Sequence, residues 1–217
     1  DARIDARELQ REGAKDEAPE LYQGERVGGA SGPECDIAVD PVEGTTNMAE
    51  GLANSMAVIA AAPSGSMLDP GPCYYMEKFA APAAARGKID MGWPLELKLK
   101  TLAELLGKPI GDLTVFVLDK PRHDKLVADL RRIGARVAHH PAGDVGGALM
   151  AATPGSGIDC LMGTGGTPEG IITACAIRAI GGEFMGRLDP QKTDEKAKVS
   201  AAGFDTRRWY KLEELVR

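Results

Sequence analysis

The sequence predicts an α/β layer fold with a mixed or parallel sheet, and three observations carry that prediction. From Leu113 onward, short apolar runs of strand length alternate with amphipathic segments of helical length. Glycine is abundant, at 27 of 217 residues, while aromatic residues make up only 5%, a balance that favours tight turns and close backbone approaches. Hydrophobic residues at 43% and charged residues at 27% are ordinary globular values. A chain of this length suits one large domain or two small ones and buries roughly 70% of the surface its unfolded form exposes.

Taken in order, residues 1–23 are charged and helical in composition, through Glu8, Leu9, Glu12, Glu17 and Leu21. Gly28, Gly29, Gly32 and Pro33 then break the pattern. Cys35 to Asp40 is a mostly apolar run ending in an acid, read as a buried strand, and Asp40 to Thr45 follows as a turn. Met56 to Ala62 is a second buried strand, closed by Pro63, Ser64 and Gly65. Residues 64–93 are mixed. Leu95 to Leu106 reads as a helix stopped by Gly107. Leu113 to Leu118 is a strand. Pro121 to Ile133 is a helix with Pro121 in the first turn, Leu126, Val127, Leu130 and Ile133 on one face, and Gly134 at the end. Arg136 to His139, Ile158 to Met162 and Glu183 to Leu188 read as strands. Asp144 to Ala152 and Thr167 to Ile180 read as helices, the second with Thr167 as N-cap and Pro168 at the first position. A solvated helix is expected near 191–202. No clean linker divides the chain, and a soft boundary falls near residue 90.

Charge narrows the function. Lys and Arg number 26 against 32 Asp and Glu, for a net charge of -6. That argues against nucleic acid and against an anionic membrane surface as partners. The longest apolar run, Met56 to Ala62, is too short to span a bilayer. Cys35, Cys73, Cys160 and Cys175 match no metal or redox spacing and read as free thiols of a reducing cytoplasm. The polar start carries no signal-peptide pattern, and without an initiator Met it reads as processed or as a fragment.

The chemistry concentrates in Asp40-Pro41-Val42-Glu43-Gly44-Thr45. Asp40 ends a strand, so its carboxylate emerges at the sheet edge where α/β folds bind ligands. The turn at Pro41 brings Glu43 round to the same side. Two such carboxylates make a hard oxygen site suited to Mg²⁺ or Mn²⁺. A plain solvated turn is the alternative, but the full run after an apolar strand favours the metal. Gly44 lets the backbone approach a ligand, and the Thr45 hydroxyl can order a nucleophilic water.

Gly163 to Gly170 reads as a glycine-rich loop opening into a helix N-terminus, a cradle for anions. Glu169 within it is either a dipole-stabilising acid or, beside the first motif, a third metal carboxylate. Lys120-Pro121-Arg122-His123-Asp124 places Lys and Arg at a sheet edge, which suits a phosphate group against the alternative of ordinary surface charge. His123 reads as structural, His139 and His140 as strand-end packing, and Asp144 as a helix cap.

These motifs, in this order, resemble the class II fructose-1,6-bisphosphatase family, within the lithium-sensitive sugar-phosphatase superfamily whose signature is Asp-Pro-x-Asp/Glu-Gly-Thr. The likeness runs from about Asp16 to Leu188 and includes Asn54 to Val58 and Tyr75 to Lys78. It implies a layered sugar-phosphatase fold with mixed sheets and flanking helices, incomplete here. It implies hydrolysis of the 1-phosphate of fructose 1,6-bisphosphate to fructose 6-phosphate, a step of gluconeogenesis, with Mg²⁺ or Mn²⁺ as cofactor. The metal carboxylates would be Glu12, Asp40, Glu43 and Glu169, and the catalytic residues Thr45 and Glu43. Substrate would meet Glu43, Gly44, Thr45, Tyr75, Lys120, Pro121, Arg122, Gly143, Asp144 and Gly166. Residues 1–90 would form the metal and phosphate part, and 91–217 the sugar-phosphate part.

Departures from the family pattern shape the alternatives. Ala14 and Ala142 stand where the family has acids, Glu8 to Ala14 makes a poor buried strand, and both ends are expected to be truncated. A non-catalytic relic that binds sugar phosphate or a sister subunit is therefore the second reading. A phosphatase for sedoheptulose bisphosphate or inositol phosphate is the third, because ring size is read by pocket shape. Homo-oligomer formation is left open.

Overall fold

The computed structural model describes residues 5–11, 25–28 and 32–217. Strands β1 (Asp5–Arg11), β2 (Arg26–Gly28), β3 (Glu34–Glu43) and β4 (Met56–Pro63) form a first mixed sheet in the order β2-β1-β3-β4. β1 runs parallel to β3, while β2 and β4 run antiparallel to their neighbours. The expectation of helix over 1–23 is corrected for residues 5–11. A ladder from Asp5 opposite Glu34 to Arg11 opposite Val39 fixes them as a strand. Local composition is a weak preference that pairing partners override. Glu12 and the segment Asp16 to Pro19 lie outside the described residues.

After the short helix α1 (Thr45–Ala49) and β4, the chain enters a second sheet at β5 (Tyr75–Pro82). There follow α2 (Leu95–Leu106), β6 (Thr114–Leu118), α3 (Asp124–Ile133), β7 (Arg136–His140), α4 (Asp144–Ala152) and β8 (Cys160–Gly166). The chain finishes with α5 (Thr167–Ile180), β9 (Gly182–Leu188), α6 (Thr193–Ala201), β10 (Trp209–Lys211) and α7 (Leu212–Leu215). The six strands order as β10-β9-β5-β8-β6-β7. β6, β7 and β8 are mutually parallel, and the others antiparallel. The fold class is therefore α/β with mixed sheets and flanking helices, as the sequence predicts.

Two apolar cores explain the layering. One gathers Ala38 of β3, Val145 and Ala148 of α4, Ile171 and Ala174 of α5, and the even-numbered residues Met76 and Ala80 of β5. It fills the space between the two sheets, where α4 and α5 lie. The other gathers Leu99 and Leu102 of α2, Val127 and Leu130 of α3, and the odd-numbered Phe79 and Ala81 of β5. It lies on the far face of the second sheet. The period-two alternation of β5 thus serves both cores at once.

Several local expectations are corrected. β4 is not a buried strand: its residues alternate, and Ile59 is 69% exposed. Glycines 163–166 form no loop, because β8 runs on through them paired with β5 up to Gly166 opposite Tyr75. Gly166 then caps α5 in an extended conformation, which places Thr167 and Pro168 inside the helix. Pro121 to His123 form a single 3₁₀ turn before α3, which begins at Asp124. β10 and α7 were not foreseen. The four cysteines stand as free thiols, and burial pushes those of Cys73 and Cys175 up to about 11. Among the described residues no helix is long and apolar enough to cross a membrane.

One packing contact tests the interior. A Cβ added to Gly147 of α4 would stand 2.7 Å from three ring atoms of Phe116. The other side of that ring stacks on His140, centroids 4.6 Å apart, so the ring has nowhere to retreat. Gly147→Ala gains about 1 kcal/mol of helix propensity and loses about 1–3 kcal/mol to overpacking. Overpacking should win, lowering the calorimetric Tm by about 2–4 °C. An unchanged or raised Tm would refute this account of the contact.

Candidate active site

A cavity of about 650 Å³ opens where the carboxyl ends of the parallel strands β6, β7 and β8 face the end of β3. Its walls come from Asp40 to Thr46, from Lys120 and Arg122, from Pro141 to Asp144, and from Gly165, Gly166, Pro168 and Glu169, with Tyr74 and Tyr75 beside them. Of the residues singled out from sequence, Asp40, Glu43, Gly44, Thr45 and Tyr75 line it, as do Lys120, Arg122, Gly143, Asp144, Gly166 and Glu169. Pro121 is not among its lining residues, and Glu12 lies outside the described residues.

The β3 wall owes its shape to a bulge rather than to the expected turn. Asp40 pairs with Val58 and Glu43 with Met56, so β3 advances three residues while β4 advances two. That slip brings both acids to one face, where strict alternation would have separated them. The Asp40 carboxylate accepts the Val42 N–H at 3.0 Å and holds the bulge. Gly44 follows with φ 78°, a left-handed value that starts α1. Thr45, the first residue of that helix, is exposed to the cavity.

The acids are buried together. Asp40 and Glu43 are each 2% exposed, Glu169 6% and Asp144 7%. Glu43 Oε1 accepts the Val145 N–H at the start of α4. Glu43 Oε2 and Glu169 Oε2 have no hydrogen-bond partner among the described residues. Burial, reinforced by the Asp144 and Asp40 charges, pushes the Glu43 carboxyl up to about 8. Burial likewise pushes Glu169 up to about 7, with Asp144 and Asp40 adding to the rise and the nearby Lys78 ammonium opposing it. Lys78 itself is 1% exposed and pairs with Asp144 Oδ2 at 2.5 Å. Gly143, with φ 98°, caps α4, so Asp144 is the first helical residue and not the cap.

The opposite wall is basic. Arg122 donates from Nε and Nη2 to the Thr164 carbonyl, at 2.9 and 2.8 Å, and its guanidinium lies 5.4 Å from the Tyr75 ring centre. His123 fixes this loop. Its Nδ1 lies 2.7 Å from the Leu118 carbonyl, so Nδ1 carries the proton, and Nε2 accepts the Thr164 N–H at 2.8 Å. Burial holds its protonation below the usual histidine range. The ring thereby ties the end of β6 to β8 and is a structural group. His140 packs on Phe116, and His139 lies 3.4 Å from Asp119 Oδ1, away from the cavity.

The donor set fits a divalent cation in kind. Among the described residues no group of three or more His, Cys, Asp or Glu side chains is drawn close enough to hold a metal ion by itself. Magnesium-type sites commonly take one or two carboxylates and complete their shell with water and substrate phosphate. The buried, partnerless oxygens of Glu43 and Glu169 are what such an ion would satisfy.

Two residues of the site were missed from sequence. Lys78 gave one signal, a charge flanked by apolar Met76 and Ala80 on one face of a strand. Asn47 is 3% exposed and donates from Nδ2 to the Asn54 carbonyl at 3.4 Å, beneath Gly44 and Gly143. Its one signal was its place two residues after Thr45, at the end of the Asp40 motif.

The whole chain, residues 1–217, matches the family described as bacterial fructose-1,6-bisphosphatase, glpX-encoded. It is similar to proteins named D-fructose 1,6-bisphosphatase class 2/sedoheptulose 1,7-bisphosphatase. One, from Synechococcus sp. (strain RCC307), is 46% identical over 187 residues, 85% of this chain and 56% of the relative. Those of Synechococcus sp. (strain CC9605) and Parasynechococcus marenigrum (strain WH8102) are each 45% identical over 196 residues, 88% of this chain and 58% of the relative. The chain thus spans little more than half the length of these relatives.

The raised Glu43 carboxyl sets a pH dependence. In protein freed of divalent ions by chelation, Glu43 holds its proton until about pH 8, whereas unfolded it loses it near 4.5. Its contribution to stability is therefore full below about pH 4.5 and is lost as pH rises through about 8. Glu43→Gln cannot ionise, so denaturant unfolding should show the variant gaining on the parent from about pH 4.5 to about pH 8 and levelling off above that. A stability difference independent of pH would contradict the assignment.

Proposed function

The chain belongs to the bacterial, glpX-encoded fructose-1,6-bisphosphatase family, and from that premise we propose that its cavity hydrolyses one phosphate ester of a sugar bisphosphate, namely the 1-phosphate of fructose 1,6-bisphosphate. The observation that carries this reading is a charge-divided cavity. Buried acids with partnerless oxygens on Glu43 and Glu169 face Lys120 and Arg122 across about 650 Å³. Such a division serves an anionic ester whose reacting end needs cations and whose remote end needs fixed positive side chains.

In this reading Asp40, Glu43 and Glu169 hold the divalent cation, Mg²⁺ or Mn²⁺, with Glu12 as a further proposed ligand. The cation supplies charge neutralisation at the phosphoryl oxygens. The chain does the rest. Thr45 Oγ1 orients the attacking water, and the ionised Glu43 carboxylate takes up the water's proton. The water oxygen bonds to phosphorus as the bond to the ester oxygen breaks, and that oxygen takes the proton given up by the water, giving fructose 6-phosphate and inorganic phosphate. Lys120 and Arg122 hold the second phosphate, with Arg122 kept in place by the Thr164 carbonyl and the Tyr75 ring. Asp144 accepts from a sugar hydroxyl. Gly166, at the cap of α5, lies against the reacting phosphate. The relatives' names include sedoheptulose 1,7-bisphosphate, and the site is proposed to accept that longer sugar as a second substrate. Gluconeogenic use and a cytoplasmic setting accompany the proposal.

Phosphate release tests it. With Mg²⁺ or Mn²⁺ the chain should release phosphate from fructose 1,6-bisphosphate, lose that activity on chelation and regain it when the ion is returned. Glu43→Gln should lower kcat by about a hundredfold or more. A folded chain that releases no phosphate with either ion would overturn the proposal.

A further inference from the structure

The glycines around Lys78 are arranged as a slot for one charged side chain. Lys78 sits in the middle of β5 on the face that packs toward α4 and α5, between Met76 and Ala80 of the apolar core. Its cross-strand neighbours are Gly163 of β8 and Gly186 of β9, so neither residue directly opposite it carries a side chain. A Cβ on Gly170 would come within 3.2 Å of Lys78 Cε, and one on Gly165 within 3.0 Å of Lys78 Nζ. The same Cβ on Gly165 would stand 2.0 Å from Asp144 Oδ2. The end of the slot is Asp144, whose Oδ2 lies 2.5 Å from Nζ.

Stability does not account for this pair. Two charges on an apolar core face cost about as much in lost hydration as they return by attraction, and a methionine there would pack at least as well. Asp144, however, is a wall of the cavity. With Oδ2 engaged by Lys78, the carboxylate is fixed in one rotamer, and Oδ1 remains as an acceptor.

We propose that Lys78 is a positioning residue, held in its glycine slot so that Asp144 is fixed as the acceptor for a sugar hydroxyl of the substrate. The inference rests on the sugar-bisphosphate reading of the cavity. Lys78 touches no reacting atom in it; it positions Asp144, and its charge besides opposes the rise in proton affinity of Glu43 and Glu169, a field that Gly165→Ala leaves in place.

The test compares Lys78→Met, Gly165→Ala, Asp144→Asn and the double variant Lys78→Met/Asp144→Asn with the parent, all shown folded by circular dichroism. Lys78→Met removes the charge at similar volume. Gly165→Ala keeps the charge and pushes Asp144 aside. Each should raise KM for fructose 1,6-bisphosphate about tenfold, the loss of one charge-assisted hydrogen bond, with kcat within about threefold. The double variant should be no worse in KM than Asp144→Asn alone. A purely structural Lys78 would lower Tm and leave KM of the folded fraction unchanged, which overturns the inference while the function stands. Multiplying KM effects in the double variant would overturn it too. Binding gives a second readout that needs no turnover. Fructose 1,6-bisphosphate with Mg²⁺ should raise the parent's Tm, and at the same concentration raise that of Lys78→Met by less. An equal rise in both overturns the inference alone, and no rise in the parent overturns both it and the proposed function.

Discussion

A carboxylate removed from water must find a donor, a cation or a proton, and this demand organises the molecule around its cavity. Four acids are brought there from three places in the chain: Asp40 and Glu43 from β3, Asp144 from α4, and Glu169 from α5. Each is answered differently. Asp40 is held by a backbone N–H two residues on, and Asp144 by a buried ammonium. Glu43 is half answered by the N-terminus of α4. Glu43 and Glu169 are left with high proton affinity, the signature of a site built to receive a positive ligand.

The same demand explains the glycines. Read as a motif, Gly163 to Gly170 looks like an anion loop. In the fold Gly163, Gly165 and Gly166 belong to a paired strand and Gly170 to α5, and what they provide is volume. A Cβ on Gly166 would meet Glu169 Oε2 at 1.9 Å, as one on Gly165 would meet Asp144. Gly165 and Gly166 lack side chains where Asp144, Lys78 and Glu169 occupy the space, and Gly163 where His123 does. The sequence signal was real, but its cause is steric clearance for charged groups as much as backbone access for phosphate.

Legibility from sequence followed the range of the interactions. Leu95–Leu106 ends at Gly107 as read, because a left-handed C-terminal glycine is a local event. The alternation from β6 to β9 was legible for the same reason. What escaped was decided by partners far away in sequence. Residues 5–11 are a strand because β3 accepts them, whatever their composition. Glu43 shares a face with Asp40 through a register slip against β4 that no reading of β3 alone reveals. Asp40, Glu43 and Thr45 were recognisable as a group because they are neighbours in the chain. Lys78 and Asp144 were not recognisable as a pair, since 66 residues separate them.

The cavity is mounted on two separate sheets. Asp40 and Glu43 ride on the first, while Lys120, Arg122 and Gly166 ride on or just beyond the second. What sets the gap between them is the layer of α4 and α5, whose contacts are made by small buried residues such as Gly147, Ala148 and Ala174. Those residues act as a spacer of fixed thickness. A methyl group added at Gly147, well away from any charged atom, would press on Phe116 of the second sheet and so bear on that gap. Part of the chemistry of this site is thus calibrated by packing, and its tolerance for change is that of a gauge block.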